Sequence, residues 1–249
     1  MPRRKSDYLL VDISNSFTKL AFSSRERVER TWRIPTRELS RAALQRALEQ
    51  REVRAVVVSS VVPDKDALVR RAAGKTPTIF INAKTNLGVG VDYPNAKTIG
   101  ADRLANAAAV AKLYGKPAVV VDFGTAVTFD VVSAGGDYIG GVIAPGLESM
   151  TSFLYQRTAL LPKLRLREPA SAIGKTTRSA MMSGAIYGYR GLVREIIARI
   201  AAEGFPKGIV RVVATGGYAD LIAKQLPEIE AVHPGLTLEG LRLIGNLNL

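Results

Sequence analysis

Two stretches of the chain share one pattern of apolar and polar positions. Tyr8-Leu-Leu-Val-Asp12-Ile-Ser-Asn-Ser-Phe-Thr18-Lys-Leu-Ala-Phe22 predicts an apolar strand, a turn of small residues and a second, alternating strand. Ala118-Val-Val-Val-Asp122-Phe-Gly-Thr-Ala-Val-Thr128-Phe-Asp130-Val-Val132 predicts the same. Short apolar runs bounded by turn residues read as strands buried on both faces, and strict alternation reads as a strand buried on one. Each apolar run ends on an aspartate, and the two aspartates lie 110 residues apart in a chain of 249. A further apolar strand follows each hairpin, at Ala55–Ser59 and Ile209–Thr215. The shared D-x-[GS]-[NT]-x-x-T pattern favours duplication over coincidence. The expectation is an α/β fold of two similar lobes facing each other across a cleft, with residues 1–112 as the first and 113–249 as the second.

Helical periodicity predicts further elements. One helix runs from Leu39 to Gln50, N-capped by Thr36 or Ser40, with Leu44, Ala47 and Leu48 on its apolar side. An alanine-rich helix opens at Gly100-Ala101-Asp102-Arg103 and runs to Tyr114, with Gly115 at its C-terminal end. A long helix from Thr177 to Ala202 carries Gly184, Gly188 and Gly191. Glycine costs about 1 kcal/mol in a helix interior, so these glycines point to close helix packing, within a lobe or across a dimer. A shorter helix is expected near Tyr218–Gln225.

Composition narrows the chemistry. The chain has no cysteine, which removes disulfides, thiol nucleophiles and thiolate zinc sites, and its one histidine, His233, leaves little for a histidine metal cluster or a Ser-His-Asp triad. Acid–base work falls to carboxylates. No apolar run approaches the ~20 residues of a membrane span and no signal-peptide core follows the basic start, so a cytoplasmic protein without membrane attachment is expected. The net charge of +13 sits mostly in residues 1–6, 25–54 and 157–178. Aromatics do not interleave with these runs and no helix-turn-helix pattern occurs, so specific nucleic-acid binding is not expected.

A turn of small residues lets successive backbone N–H groups converge on one anion, and an aspartate at the strand end can hold the Mg²⁺ that neutralises a phosphate, directly or through water. Ordinary β-turns use the same residues; the repetition of the pattern favours phosphate binding. Thr215-Gly216-Gly217 at a strand-to-helix turn permits close approach of a flat ring or a ribose, and a second glycine-rich turn lies at Gly140–Gly146. Asp102 at a helix start is either a favourable cap or a base. Arg103 beside it offers a forked donor suited to a carboxylate, so the pair suits a small acid that also carries a hydroxyl.

These motifs resemble the type III pantothenate kinases of the acetate kinase/sugar kinase/Hsp70/actin superfamily. The resemblance runs from Asp12 to Thr237-Leu-Glu-Gly240 and includes G-A-D-R at 100–103, D-F-G-T at 122–125, G-G-V-I-A-P-G at 140–146, I-G-K-T-T at 173–177 and T-G-G at 215–217. It implies two actin-like lobes of ribonuclease H-like topology and ATP-dependent phosphorylation of pantothenate to 4'-phosphopantothenate, the first step toward coenzyme A. By the resemblance, Asp12, Ile13, Ser14, Asn15, Ser16, Phe17, Thr18 and Lys19 wrap the ATP phosphates, joined by Thr125, with Gly216 and Gly217 also at the nucleotide. Asp102 is the general base, and Tyr93, Gly100, Ala101, Arg103 and Thr177 of a neighbouring subunit hold pantothenate. Asp122 binds a monovalent cation, K⁺ or NH₄⁺, beside the Mg²⁺ of Asp12, in a homodimer with the substrate site near the subunit boundary. The chain departs from the family's D-x-G-N-T at Ser14 and Ser16, and has Thr176 where asparagine is common. A serine at 14 is strained if its φ is positive. Some relatives of the family act as transcription-accessory factors, so the alternative the resemblance implies is a catalytically weak or inactive member acting as a transcription-accessory regulator.

Overall fold

A computed structural model describes residues 4–206 and 208–249. The chain divides into two compact units. Unit 1 comprises Met1–Tyr114, Gly136–Ile139 and Gly235–Leu249, and unit 2 comprises Gly115–Gly135 and Gly140–Pro234.

Unit 1 contains, in chain order, β1 (Arg4–Ile13), β2 (Phe17–Ser23), β3 (Trp32–Pro35), α1 (Arg41–Gln50), β4 (Arg51–Ser60), α2 (Pro63–Ala73), β5 (Thr78–Phe80), β6 (Gly90–Val91) and α3 (Ala101–Leu113). Its sheet has the order β3-β2-β1-β4-β5, with β1–β2 antiparallel and β1–β4 and β4–β5 parallel. The apolar run of β1 is buried on both faces, as its lack of alternation predicts. Because successive side chains point to opposite faces, Tyr8 and Leu10 join one core with Leu104, Ala105 and Ala108 of α3. Leu9, Val11 and Ile13 join the other with Leu44 and Ala47 of α1 and Val69 of α2. Ser40 caps α1, its hydroxyl accepting from the Ala43 N–H at 3.2 Å.

Unit 2 contains β7 (Ala118–Phe123), β8 (Ala126–Val132), β9 (Asp137–Pro145), α4 (Leu147–Arg157), α5 (Thr177–Gly204), β10 (Arg211–Gly216), α6 (Ala219–Ile222) and β11 (Ala231–Val232). The first residues of β9 count with unit 1, where Gly90 and Val91 of β6 pair in parallel with Asp137 and Tyr138. The order β11-β10-β7-β8-β9 mirrors that of unit 1, β7–β8 being antiparallel and β10–β7 and β10–β11 parallel. Duplication therefore extends to register. Asp12 pairs across its ladders with Lys19 and Ser59, and Asp122 with Thr128 and Thr215. Val119, Val121 and Phe123 pack with Ile186, Tyr189 and Val193 of α5 in one core. A bidentate pair from Arg190 to Glu168, at 2.9 and 2.6 Å, ties the segment before α5 onto that helix and holds the Glu168 carboxyl below its usual range.

The last helix, α7 (Leu236–Asn248), belongs to unit 1. This differs from a single boundary at 112/113. Leu238, Leu241 and Ile244 bury their side chains in the core that α3 lines, and the Thr237 hydroxyl donates to Asn106 Oδ1 at 2.9 Å. Among the described residues, no helix is long and apolar enough to cross a membrane.

In the basic zone at 25–54, Arg51 pairs with Glu29 at 2.6 Å, Arg54 with Asp7 at 3.6 Å and Arg37 with Glu38 at 3.5 Å. The exposed pair Arg37–Glu38 contributes little stability.

Candidate active site

In unit 1, the β1–β2 turn carries Ser14, Asn15 and Ser16 out of a buried ladder. The Ser14 N–H donates to Phe17 O at 3.2 Å, which closes the turn. Thr36 locks it from the side. Its N–H donates to Ser16 O at 3.0 Å and its hydroxyl to Ser14 O at 2.6 Å. Those bonds engage the two carbonyls that would repel an anion approaching the turn. Among the described residues no non-glycine has a positive φ, so Ser14 sits in this turn without backbone strain.

Asp12 closes the apolar run of β1 and is only 2% exposed. Lys19 lies across the ladder and turns its Nζ to 3.9 Å from Asp12 Oδ2, placing a cation at the base of the turn. Ile13 and Thr18 are fully buried. Ile13 belongs to the core and the Thr18 hydroxyl lies 3.1 Å from that of Thr36, so a ligand at the turn could meet only their backbone. Phe17 is exposed, with the Arg33 guanidinium 4.7 Å from its ring centroid.

The second cluster of unit 1 is built on the first turn of α3. Gly100 is the N-cap residue, and Asp102 Oδ1 accepts the Arg103 N–H at 2.8 Å. The same Arg103 N–H also donates to Gly100 O at 3.1 Å, so the carboxylate shares a donor of the first turn, where the helix dipole favours negative charge. Gly100 is required by that placement, because a Cβ there would stand 2.5 Å from Asp102 Oδ1 and 3.5 Å from Val61 Cγ1. Val61 in turn donates its N–H to Ile13 O at 3.0 Å, which links this cluster to the end of β1. Ala101 is buried in the core under α3, so its side chain serves packing. Tyr93 is partly exposed, its ring 6.1 Å from that of Tyr138. Tyr138, which sequence reasoning missed, also lies under the Arg103 guanidinium, 5.6 Å from carbon to ring centroid.

In unit 2 the β7–β8 turn carries Gly124 and Thr125 at the surface, after Asp122. Gly146 braces the turn, its N–H donating to Thr125 O at 3.1 Å, and the Ser149 hydroxyl donates to the same oxygen at 2.8 Å. Gly216 has φ +94° and lies against Asp122. A Cβ at 216 would stand 2.6 Å from Asp122 Oδ1 and 2.6 Å from Phe123 N. Gly217 has open space beside it. Next to it, Tyr218 donates its hydroxyl to Glu148 Oε2 at 2.8 Å, and burial followed by that bond pushes its phenol up to about 12. Thr177 is exposed at the start of α5. Thr176 caps that helix in a reciprocal box with Ser179, at 3.1 and 2.9 Å, which gives its hydroxyl a structural use.

The donor set suits the implied cations. Mg²⁺ takes one or two carboxylates and completes its shell with waters and phosphate oxygens. Asp12, buried at the base of the β1–β2 turn, fits such a partial shell. Among the described residues, no three Asp, Glu or His side chains cluster as a self-sufficient metal cage.

A sequence profile described as Type III pantothenate kinase matches residues 8–199. A protein named type III pantothenate kinase from Akkermansia muciniphila is 50% identical over 244 residues, covering 97% of this chain and 99% of that protein. Among solved structures, a conserved Baf family protein from Campylobacter jejuni aligns with a TM-score of 0.61 at 19% identity over 97% of this chain and all of the other. The inorganic polyphosphate/ATP-glucomannokinase of Arthrobacter sp. strain KM aligns at 0.51 and 13%, over 98% of this chain and all of the other. At such identities these likenesses speak for the fold alone, an α/β fold of the actin-like ATPase type. The order of motifs along the chain, the two register-matched hairpins and a relative identical at half its positions lead to one conclusion: the chain belongs to the type III pantothenate kinase family.

Proposed function

We propose that this chain transfers the γ-phosphoryl group of ATP to the terminal hydroxyl of pantothenate, in the cytoplasm. The observation that carries the reading is the Asp102–Arg103 pair. At the first turn of α3, Asp102 Oδ1 accepts the Arg103 N–H at 2.8 Å, and the Arg103 guanidinium lies 5.6 Å from the Tyr138 ring centroid. One helix start thus carries both a carboxylate and a forked cation, the two groups a hydroxy acid calls for. Arg103 holds the pantothenate carboxylate, with Tyr93 and the Gly100 backbone as further contacts. Asp102 orients the hydroxyl and accepts its proton late, as the hydroxyl oxygen bonds to the γ-phosphorus and the bond to ADP breaks. The Asp12–Lys19 hairpin receives the phosphates, with Lys19 and backbone N–H groups countering the charge on the transferring group. The family's motifs assign Thr125, Gly216 and Gly217 to the nucleotide as well. Mg²⁺ bound with ATP and held by Asp12 would neutralise phosphate charge, and Asp122 would hold a monovalent cation.

A coupled ADP-release assay tests this directly. Turnover is expected with millimolar ATP and pantothenate, rising several-fold when K⁺ or NH₄⁺ is supplied, and Asp122→Asn is expected to lose that stimulation while melting normally. No turnover under any cation condition would sink the enzyme reading. The regulator reading has no observation in its favour, since all three aspartates keep their places at hairpin and helix ends.

The reading includes a homodimer. Gly184, Gly188 and Gly191 lie on an exposed face of α5 with nothing near a Cβ built at any of them, so packing within the described chain does not explain them. Tyr187 on α5 and Met150, Phe153 and Leu154 on the adjoining α4 are exposed as well. A second copy would cover such apolar surface. Gly188→Leu is expected to shift the chain from dimer to monomer at micromolar concentration, read by light scattering, and to raise the pantothenate KM, because Thr177 is the partner's contribution. A dimer that survives the substitution removes this face from the interface.

A further inference from the structure

Tyr138 is the one side chain described against both Tyr93 and Arg103, and nothing in the motifs assigns it a role. It is fully buried, although the rings and charges it meets stand at the surface cluster. Its ring lies 6.1 Å from that of Tyr93, tilted by 57°. The Arg103 guanidinium carbon lies 5.6 Å from its centroid, within cation–π range. Its backbone is equally committed. Val91 pairs with Tyr138, the Asp92 N–H donates to Tyr138 O at 3.0 Å and the Gly90 N–H to Gly136 O at 3.1 Å, so the same short ladder leads directly into Tyr93.

From this geometry we infer that Tyr138 is a positioning residue for acid recognition, its ring face holding the Arg103 guanidinium in place while its edge backs Tyr93. Arginine has a long side chain that loses rotamer freedom when it engages a carboxylate. A fixed aromatic face takes up part of that loss before the substrate arrives. The segment that supplies this ring, 136–139, is separated in sequence from the rest of unit 1, so the later half of the chain furnishes the floor under the substrate residues of the earlier half. The inference rests on Arg103 as the ligand of the pantothenate carboxylate.

The test uses the full chain and calorimetric binding of pantothenate. Tyr138 is replaced by phenylalanine, then by mono-, di- and trifluorinated phenylalanine, which drain charge from the ring face with little change of size. Phenylalanine is expected to bind pantothenate within about twofold of the parent, and the Kd to rise stepwise to about tenfold at trifluorination, with the KM for ATP unchanged throughout. In the Arg103→Ala background the series is expected to be flat. Flat affinities across the series in the presence of Arg103, or an equal slope in its absence, overturn the inference. Arg103→Ala alone separates the two levels. If it leaves pantothenate affinity unchanged, the carboxylate role of Arg103 falls; if it weakens binding while the ring series stays flat, only the role of Tyr138 falls.

Discussion

Asp102→Asn is expected to lower kcat by about a hundred- to ten-thousand-fold while leaving the chain folded and able to bind pantothenate. The substitution is nearly isosteric, and the asparagine carbonyl oxygen can still accept the Arg103 N–H that Asp102 Oδ1 accepts now at 2.8 Å. The helix start therefore keeps that contact. It loses a favourable charge at its N-terminus, worth about 0.3–1 kcal/mol at a surface position, so the melting temperature should fall by a few degrees at most. The amide cannot take up a proton at neutral pH. With the base gone, the hydroxyl must lose its proton to solvent, and the acidic limb of the kcat–pH profile, which reports protonation of a carboxylate base, should vanish with it. Calorimetry with pantothenate separates lost chemistry from lost binding. A variant that turns over within threefold of the parent removes Asp102 as the base.

From residue types alone Asp102 reads as either a cap or a base, and the resemblance to the family makes it the base. With no cysteine and one histidine, acid–base work falls to carboxylates, and the aspartates at 12, 102 and 122 stand at element ends where turns and helix starts are readable. The hairpins were legible because an apolar run, a terminal aspartate and a small-residue turn are local features. The cap of α1 at Ser40 and the start of α3 at Gly100 were legible for the same reason. What the sequence hid is non-local. Thr36 clamps the β1–β2 turn from 22 residues away, and no periodicity announces that a threonine will donate to Ser14 O. Tyr138 reads as one aromatic in a strand until β6 pairs with it. The helices α2 and α4 escaped because their apolar stripes are narrow, leaving only Val69 and Ala73 buried in one and Leu147 and Thr151 in the other. The placement of α7 escaped for a further reason. A boundary drawn between halves of a duplicated sequence assigns the C-terminus to the second half, whereas burial of Leu238, Leu241 and Ile244 assigns it to the core of the first.

The packing of α7 sets the largest expected loss of stability. Gly240→Ala should destabilise unit 1 by about 3 kcal/mol or more, beyond the ordinary range for an added methyl group in a core. A Cβ at residue 240 would overlap the carbonyl oxygen of Ala105, an atom of the α3 backbone that no rotamer change can move. The two helices meet this closely because both present small groups. Ala105 and Ala108 face α7 from α3, and Thr237, one turn before Gly240, anchors the contact by its buried bond to Asn106. Alanine has the higher intrinsic helix propensity by about 1 kcal/mol, so the backbone preference works against the prediction and makes the sign informative. Two outcomes are open to the folded variant: α7 lifts away and exposes Leu241 and Ile244, or α3 shifts and carries Asp102 and Arg103 with it. Urea unfolding distinguishes them from a benign substitution. A midpoint equal to or above that of the parent would mean that the helices are farther apart than this contact requires. A lowered midpoint accompanied by a raised pantothenate KM would show that the substrate residues at the start of α3 are held in place by a helix from the opposite end of the chain.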